Sequence, residues 1–139
     1  MADFLTIAHE CKDFAVWRHI FDSDAPNRAA AGLTDLVLAR GQDNPNLIGL
    51  ILGVADRAKA VTFGSSDRLR DTMANAGIIG EPAITLREGD FTPASAGANK
   101  FLTVNCEISG IDRFRAGYAM DKADRADATL TSLGLPTPA

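Results

Sequence analysis

The stretch Leu47-Ile48-Gly49-Leu50-Ile51-Leu52-Gly53-Val54 decides the fold. Its apolar residues run without interruption, yet the run is too short for an ordinary buried helix, and its flanks are turn-like. That combination predicts a strand. Side chains alternate across a strand, so Ile48, Leu50, Leu52 and Val54 share one face, and Leu47, Gly49, Ile51 and Gly53 the other. Both faces are apolar, so both are expected to be covered. The preceding Gly41-Gln42-Asp43-Asn44-Pro45-Asn46 is turn chemistry throughout, and Leu36-Val37-Leu38-Ala39-Arg40 before it is again β-like. The two strands therefore form a hairpin.

Working outward, Phe4 to Glu10 reads as a first strand. Asp13 can cap a helix that carries Phe14, Trp17 and Phe21 at helical spacing. That helix should pause near Pro26, which lacks a backbone donor, then continue through Arg28-Ala29-Ala30-Ala31 to Gly32. After Asp56 a short helix runs through Ala58, Ala60 and Val61 to a break at Phe63-Gly64-Ser65. Ser66 caps a further helix with Leu69, Met73 and Ala76, closed by Gly77. Ala83 to Arg87 is the last strand of the unit. The order βαββαβ predicts an α+β, ferredoxin-like domain with an antiparallel sheet and its helices on one side. The helix side should collect Leu36, Leu38, Ile48, Leu50, Leu52, Ile84 and Leu86. The opposite side collects Ala39, Gly49, Gly53, Thr85 and Arg87, and a second sheet from another copy is expected to cover it. A homodimer follows from that expectation.

The unit occupies residues 1–91, and a small, polar, aperiodic linker follows over 92–100. Residues 101–139 then repeat the opening. Phe101-Leu102-Thr103-Val104 echoes Phe4-Leu5-Thr6-Ile7, and Glu107 stands where Glu10 did. Phe114-Arg115 matches Trp17-Arg18, Tyr118 matches Phe21, and Arg125 matches Arg28, all in one ungapped register. An extra C-terminal strand and helix, a partial repeat, is expected to dock on the same domain or on its dimer mate.

Composition narrows the function classes. The chain has 139 residues, 46% hydrophobic and 23% charged, with a net charge of -4. It is long enough for a real core, and the absence of any basic run argues against nucleic acid. No apolar run is long enough to span a bilayer. Met1-Ala2-Asp3-Phe4 lacks the charged and apolar regions of a secretory signal, so a cytoplasmic protein is the expectation. The two cysteines, Cys11 and Cys106, read as small buried apolar residues rather than a disulfide or a zinc pair. No phosphate-binding glycine loop, nucleophile elbow or paired-histidine metal motif occurs.

Several residues together carry a resemblance. His9, Phe14, Trp17-Arg18, Phe21-Asp22, Arg28 and Ala31-Gly32-Leu33 are followed by Asp43, Pro45-Asn46, Ser66, Leu69-Arg70, Met73, Ala76-Gly77 and Gly80-Glu81-Pro82. Over residues 4 to about 88 this pattern resembles small bacterial members of the dimeric α/β-barrel superfamily. That group includes antibiotic-biosynthesis-type monooxygenases, polyketide-cyclase-like proteins and stress-responsive barrel proteins. The resemblance implies a ferredoxin-like unit, a homodimer and, if there is a reaction, chemistry without a cofactor. A superfamily of such varied roles carries no mechanism by itself.

Candidate site residues follow from chemistry. His9 shares a strand face with Leu5, Ile7 and Cys11 and can move protons near neutral pH. As a lone histidine on an apolar face, it also fits a hydrogen-bonded core residue. Trp17 could stack on an aromatic ligand, though its place in an aromatic helical stripe reads as core rather than site lining. Arg28 could clamp a carboxylate, against the plainer reading of an exposed helix residue. These three are the catalytic candidates. Asn46, Gly49, Thr85 and Arg87 are the ligand-binding candidates, being a turn amide and the polar or vacant positions of the second sheet face. His19 lies off the apolar stripe and reads as solvated. The functions in view are binding or turnover of a small apolar or aromatic molecule, a non-catalytic dimeric scaffold, and haem binding through His9 or His19.

Overall fold

A computed structural model describes residues 2–89 of the chain. Its strands are β1 (Ala2–Cys11), β2 (Leu33–Arg40), β3 (Leu47–Val54) and β4 (Ile78–Gly89). Its helices are α1 (Phe14–Ser23), α2 (Ala25–Ala30), α3 (Arg57–Gly64) and α4 (Asp67–Asn75). The four strands form one antiparallel sheet in the order β2-β3-β1-β4, the ferredoxin-like arrangement. The β3 bounds are those expected. The expected partial repeat at 101–139 and the linker before it lie outside the described residues.

Register explains the core. β1 and β3 pair antiparallel with Leu5 opposite Leu52, Ile7 opposite Leu50 and His9 opposite Ile48. These residues are buried beneath the helices with Cys11, Trp17, Phe63, Leu69 and Ala76. Each buried aliphatic side chain of that size contributes about 1.5–3 kcal/mol.

Two helices begin at the caps expected for them, Asp13 for α1 and Ser66 for α4, and α3 is capped by Asp56, the residue after which a helix was expected. Asp13 Oδ1 accepts from the Ala15 and Val16 amides at 2.8 and 3.2 Å. Asp56 Oδ1 accepts from the Lys59 amide and Ser66 Oγ from the Leu69 amide, both at 3.1 Å. The pause near Pro26 is the break at Asp24, since proline fits only the first turn of α2. Gly32 and Gly77 end the two helical layers with φ of 72° and 78°, a backbone state that side chains disfavour.

Several details depart from the sequence reading: β1 begins at Ala2 rather than Phe4, and β2 at Leu33 rather than Leu36. β4 starts at Ile78 rather than Ala83, because Gly80 and Pro82 are accommodated on a strand at the sheet edge, where a missing donor is tolerated. Leu36, assigned above to the helix side, lies on the other face. The ladder slips between Asp35, opposite Leu52, and Val37, opposite Ile51. The extra residue of this bulge puts Leu36 over Gly53, its Cδ1 3.5 Å from where a Cβ would stand there. Leu36 is 40% exposed.

Candidate functional site

β1 delivers His9 to the helix-covered face of the sheet, and α1 lays its aromatic stripe over it. His9 is 8% exposed, and neither Nδ1 nor Nε2 has a hydrogen-bond partner among the described residues. Buried side-chain nitrogens nearly always have one, so the imidazole is the unusual group of the domain. Its ring centroid lies 5.6 Å from that of Trp17 at a tilt of 55°. Trp17 is 3% exposed and stacks between Phe14 at 5.7 Å and Phe21 at 4.8 Å. Burial holds the His9 pKa below the ordinary histidine value, so the ring is neutral at physiological pH. A neutral imidazole presents one N–H donor and one acceptor nitrogen.

Both rings line a cavity of about 50 Å³ between sheet and helices. Ile7, Leu50 and Leu52 form its floor. Ile20 and Phe21 from α1, Phe63 from α3, and Leu69, Thr72, Met73 and Ala76 from the α4 side form its walls. A mostly apolar hollow with a few polar groups, here His9, Thr72, Asp24 and Arg28, is the usual composition of a small-ligand site. Trp17 was read as core rather than site lining; it is core and lines the cavity as well.

Charged residues stand at the rim. Arg28 is 5% exposed, contrary to the exposed-helix reading, because α2 turns it inward over Phe21 and toward β2. Its guanidinium sits 3.6 Å from the Phe21 ring centroid, and Nη1 donates to the Phe21 carbonyl at 2.6 Å. Nε and Nη2 donate to Asp35 Oδ1 and Oδ2 at 3.0 and 3.1 Å. With all three nitrogens engaged, Arg28 fixes the rim. Asp24, also buried, accepts from Arg68 Nη1 and from Asn27 Nδ2, each at 2.7 Å. Asp24, Thr72 and Met73 are lining residues that the sequence reading did not single out. The Asp24-Ala25-Pro26 sequence marks a helix start, and Met73 was read only as part of an apolar stripe.

The remaining candidates lie elsewhere. Gly49 is on the opposite sheet face, with nothing among the described residues within 4 Å of where a Cβ would stand. Thr85 and Arg87 share that face on β4: Thr6 Oγ1 donates to the Thr85 carbonyl at 3.4 Å, and Arg87 Nε donates to Thr6 Oγ1 at 3.0 Å. Asn46 closes the β2–β3 turn, donating through Nδ2 to the Lys12 carbonyl at 3.3 Å, while its own carbonyl accepts from the Cys11 amide at 2.9 Å. The structure thus brings His9, Trp17 and Arg28 together and keeps Asn46, Gly49, Thr85 and Arg87 apart from them. His19 is exposed on α1. No group of three or more metal-binding side chains occurs among the described residues.

Solved structures share this fold. One, described as a candidate antibiotic biosynthesis monooxygenase from Bordetella bronchiseptica, superposes with a TM-score of 0.52 at 14% identity, covering 63% of this chain and 97% of that one. A conserved protein from Methanosarcina mazei Go1 gives 0.51 at 13% identity, covering 63% and 92%. The fold is the same. The ferredoxin-like unit inferred from the sequence is therefore the one these neighbours carry, and at such identities the likeness speaks for fold alone. No protein-family model matches the sequence, and no curated protein is significantly similar to it.

Proposed function

We propose that this domain binds a small, largely apolar molecule in the cavity beneath Trp17 and Phe21, and that His9 is the polar group that meets it. The observation that carries this reading is the buried imidazole, both of whose nitrogens are unpartnered among the described residues, facing a largely apolar hollow. Leaving such a group unsatisfied costs about 1–3 kcal/mol, which a ligand with a matching polar atom would recover. If the bound molecule is turned over, the roles divide naturally. His9 accepts a proton, Trp17 packs against the apolar body, and Arg28 holds Phe21 in place over the mouth. The imidazole itself supplies the base, so this chemistry needs no cofactor. Heteronuclear NMR with a fragment library tests the reading. Compounds that bind should move the Trp17 indole resonance, and those with a matching polar atom the His9 ring nitrogens as well. A screen whose hits all map to the opposite sheet face would overturn it.

A second reading concerns that opposite face, where a second copy of the chain is the proposed partner. Leu36 and Leu47 are exposed to 40% and 46% there, next to Gly49 and Ile51. Apolar surface of this kind is seldom left bare on a stable monomer. Light scattering on the wild type should give a dimer and on Ile51→Lys a monomer. A monomeric wild type at micromolar concentration would remove this reading without touching the first.

A further inference from the structure

We infer that His9 and Met73 together set the ligand class of the cavity: a compact group bearing one uncharged hydroxyl, reaching the imidazole past the Met73 thioether. The inference rests on the cavity reading above and narrows it. Charge comes first. Burial keeps His9 neutral. The two charged lining residues are already engaged, Arg28 with Asp35 and the Phe21 carbonyl and Asp24 with Arg68 and Asn27, so an ionised ligand group would shed its hydration with no free counter-charge to meet it. A hydroxyl can accept from one imidazole nitrogen or donate to the other, so it pairs with His9 in either tautomer.

Size comes second. Benzene fills a dry cavity of about 150 Å³, whereas the hollow here is about 50 Å³. As it stands it takes a short hydroxylated group; a ring enters only if a wall gives way. Most walls are fixed. Ile7, Leu50 and Leu52 are branched residues on paired strands, and Trp17 is clamped between two phenyl rings. Thr72 is held by its hydroxyl, which donates to the Arg68 carbonyl at 2.9 Å. Met73 is partly buried, unbranched and rich in rotatable bonds, so it is the adaptable wall.

Phenol and toluene, nearly matched in shape, test both halves when titrated into the wild type and Met73→Ala. The readouts are the Trp17 indole and the His9 ring nitrogens. Both probes should bind Met73→Ala at least tenfold more tightly than the wild type. Phenol should shift a His9 nitrogen resonance while toluene leaves it in place. Adding His9→Leu should cut the phenol-to-toluene affinity ratio at least tenfold. Should either substitution unfold the domain, Met73→Val and His9→Gln replace them. His9→Gln should retain part of the phenol preference, because its amide also donates and accepts. If Met73→Ala binds both probes but the ratio survives His9→Leu, this inference is overturned together with the role given to His9, and the cavity stands as the binding place alone. Equal affinity of wild type and Met73→Ala would overturn the role given to Met73. If neither probe enters Met73→Ala or Met73→Val, both readings fail together.

Discussion

Arg28 holds Phe21 from two directions, its guanidinium 3.6 Å from the ring centroid while Nη1 donates to the Phe21 carbonyl at 2.6 Å. One side chain thereby fixes both the backbone and the ring of the residue that covers Trp17. The forked contact to Asp35 extends the hold to β2. Arg28→Ala should therefore lower stability by about 2–4 kcal/mol, less than a wholly buried pair would give because Asp35 is half exposed. Arg28→Lys should recover little, since a point charge reproduces neither the fork nor the stacking. Denaturant melts of the two variants check both statements.

His9 gives stability a defined pH dependence. Well above about pH 6.5 the imidazole is neutral in folded and unfolded chains alike. As pH falls, the unfolded chain takes up the proton first, because burial has lowered the folded pKa. Stability should decline through that window and level off below the folded pKa. Urea melts at about pH 7.5 and about pH 5 should show this loss in the wild type and a smaller one in His9→Phe. An equal loss in both would place the titration on another group.

Trp17 is the only tryptophan in the chain, so its emission reports on the cavity directly. The spectrum should be blue-shifted and poorly quenched by iodide. Trp17→Ala should cost about 3–5 kcal/mol, as expected for removal of a core aromatic. A red-shifted, freely quenched spectrum would contradict the packing of α1.

Cys11 is fully buried, and burial pushes its thiol pKa up. In a Cys106→Ser background it should react with iodoacetamide only as fast as the domain opens. Rates should rise steeply near the unfolding midpoint. Rapid labelling of the native protein would mean that β1 is accessible at its C-terminal end.

Much of this was legible in the residues. The β3 run, the caps at Asp13 and Ser66, and the terminators at Gly32 and Gly77 are local signals that no distant contact overrides. That His9 shares a strand face with Leu5, Ile7 and Cys11 followed from alternation alone. What alternation could not supply was that its ring has no partner among the described residues, which depends on where every nearby donor ends. Arg28 misled for a similar reason: its helix position looks solvent-facing until Asp35, on another element, sits beside it. Leu36 was misplaced because a bulge belongs to a pair of strands, and one strand read alone keeps its alternation.

That bulge makes β2 two strand segments with opposite numbering parity. Before it, the odd-numbered Leu33 and Asp35 lie opposite the helix-facing Val54 and Leu52; after it, the even-numbered Leu38 and Arg40 lie opposite Leu50 and Ile48. Leu36 is the supernumerary residue between them. Deleting it alone would restore a regular ladder in which every other side chain keeps its present face, whereas deleting Val37 would force Leu36 into the vacated register. The strand thus has one position where its length can change by a single residue without moving either the Arg28 anchor at one end or Arg40, stacked 3.7 Å from the Phe14 ring centroid, at the other.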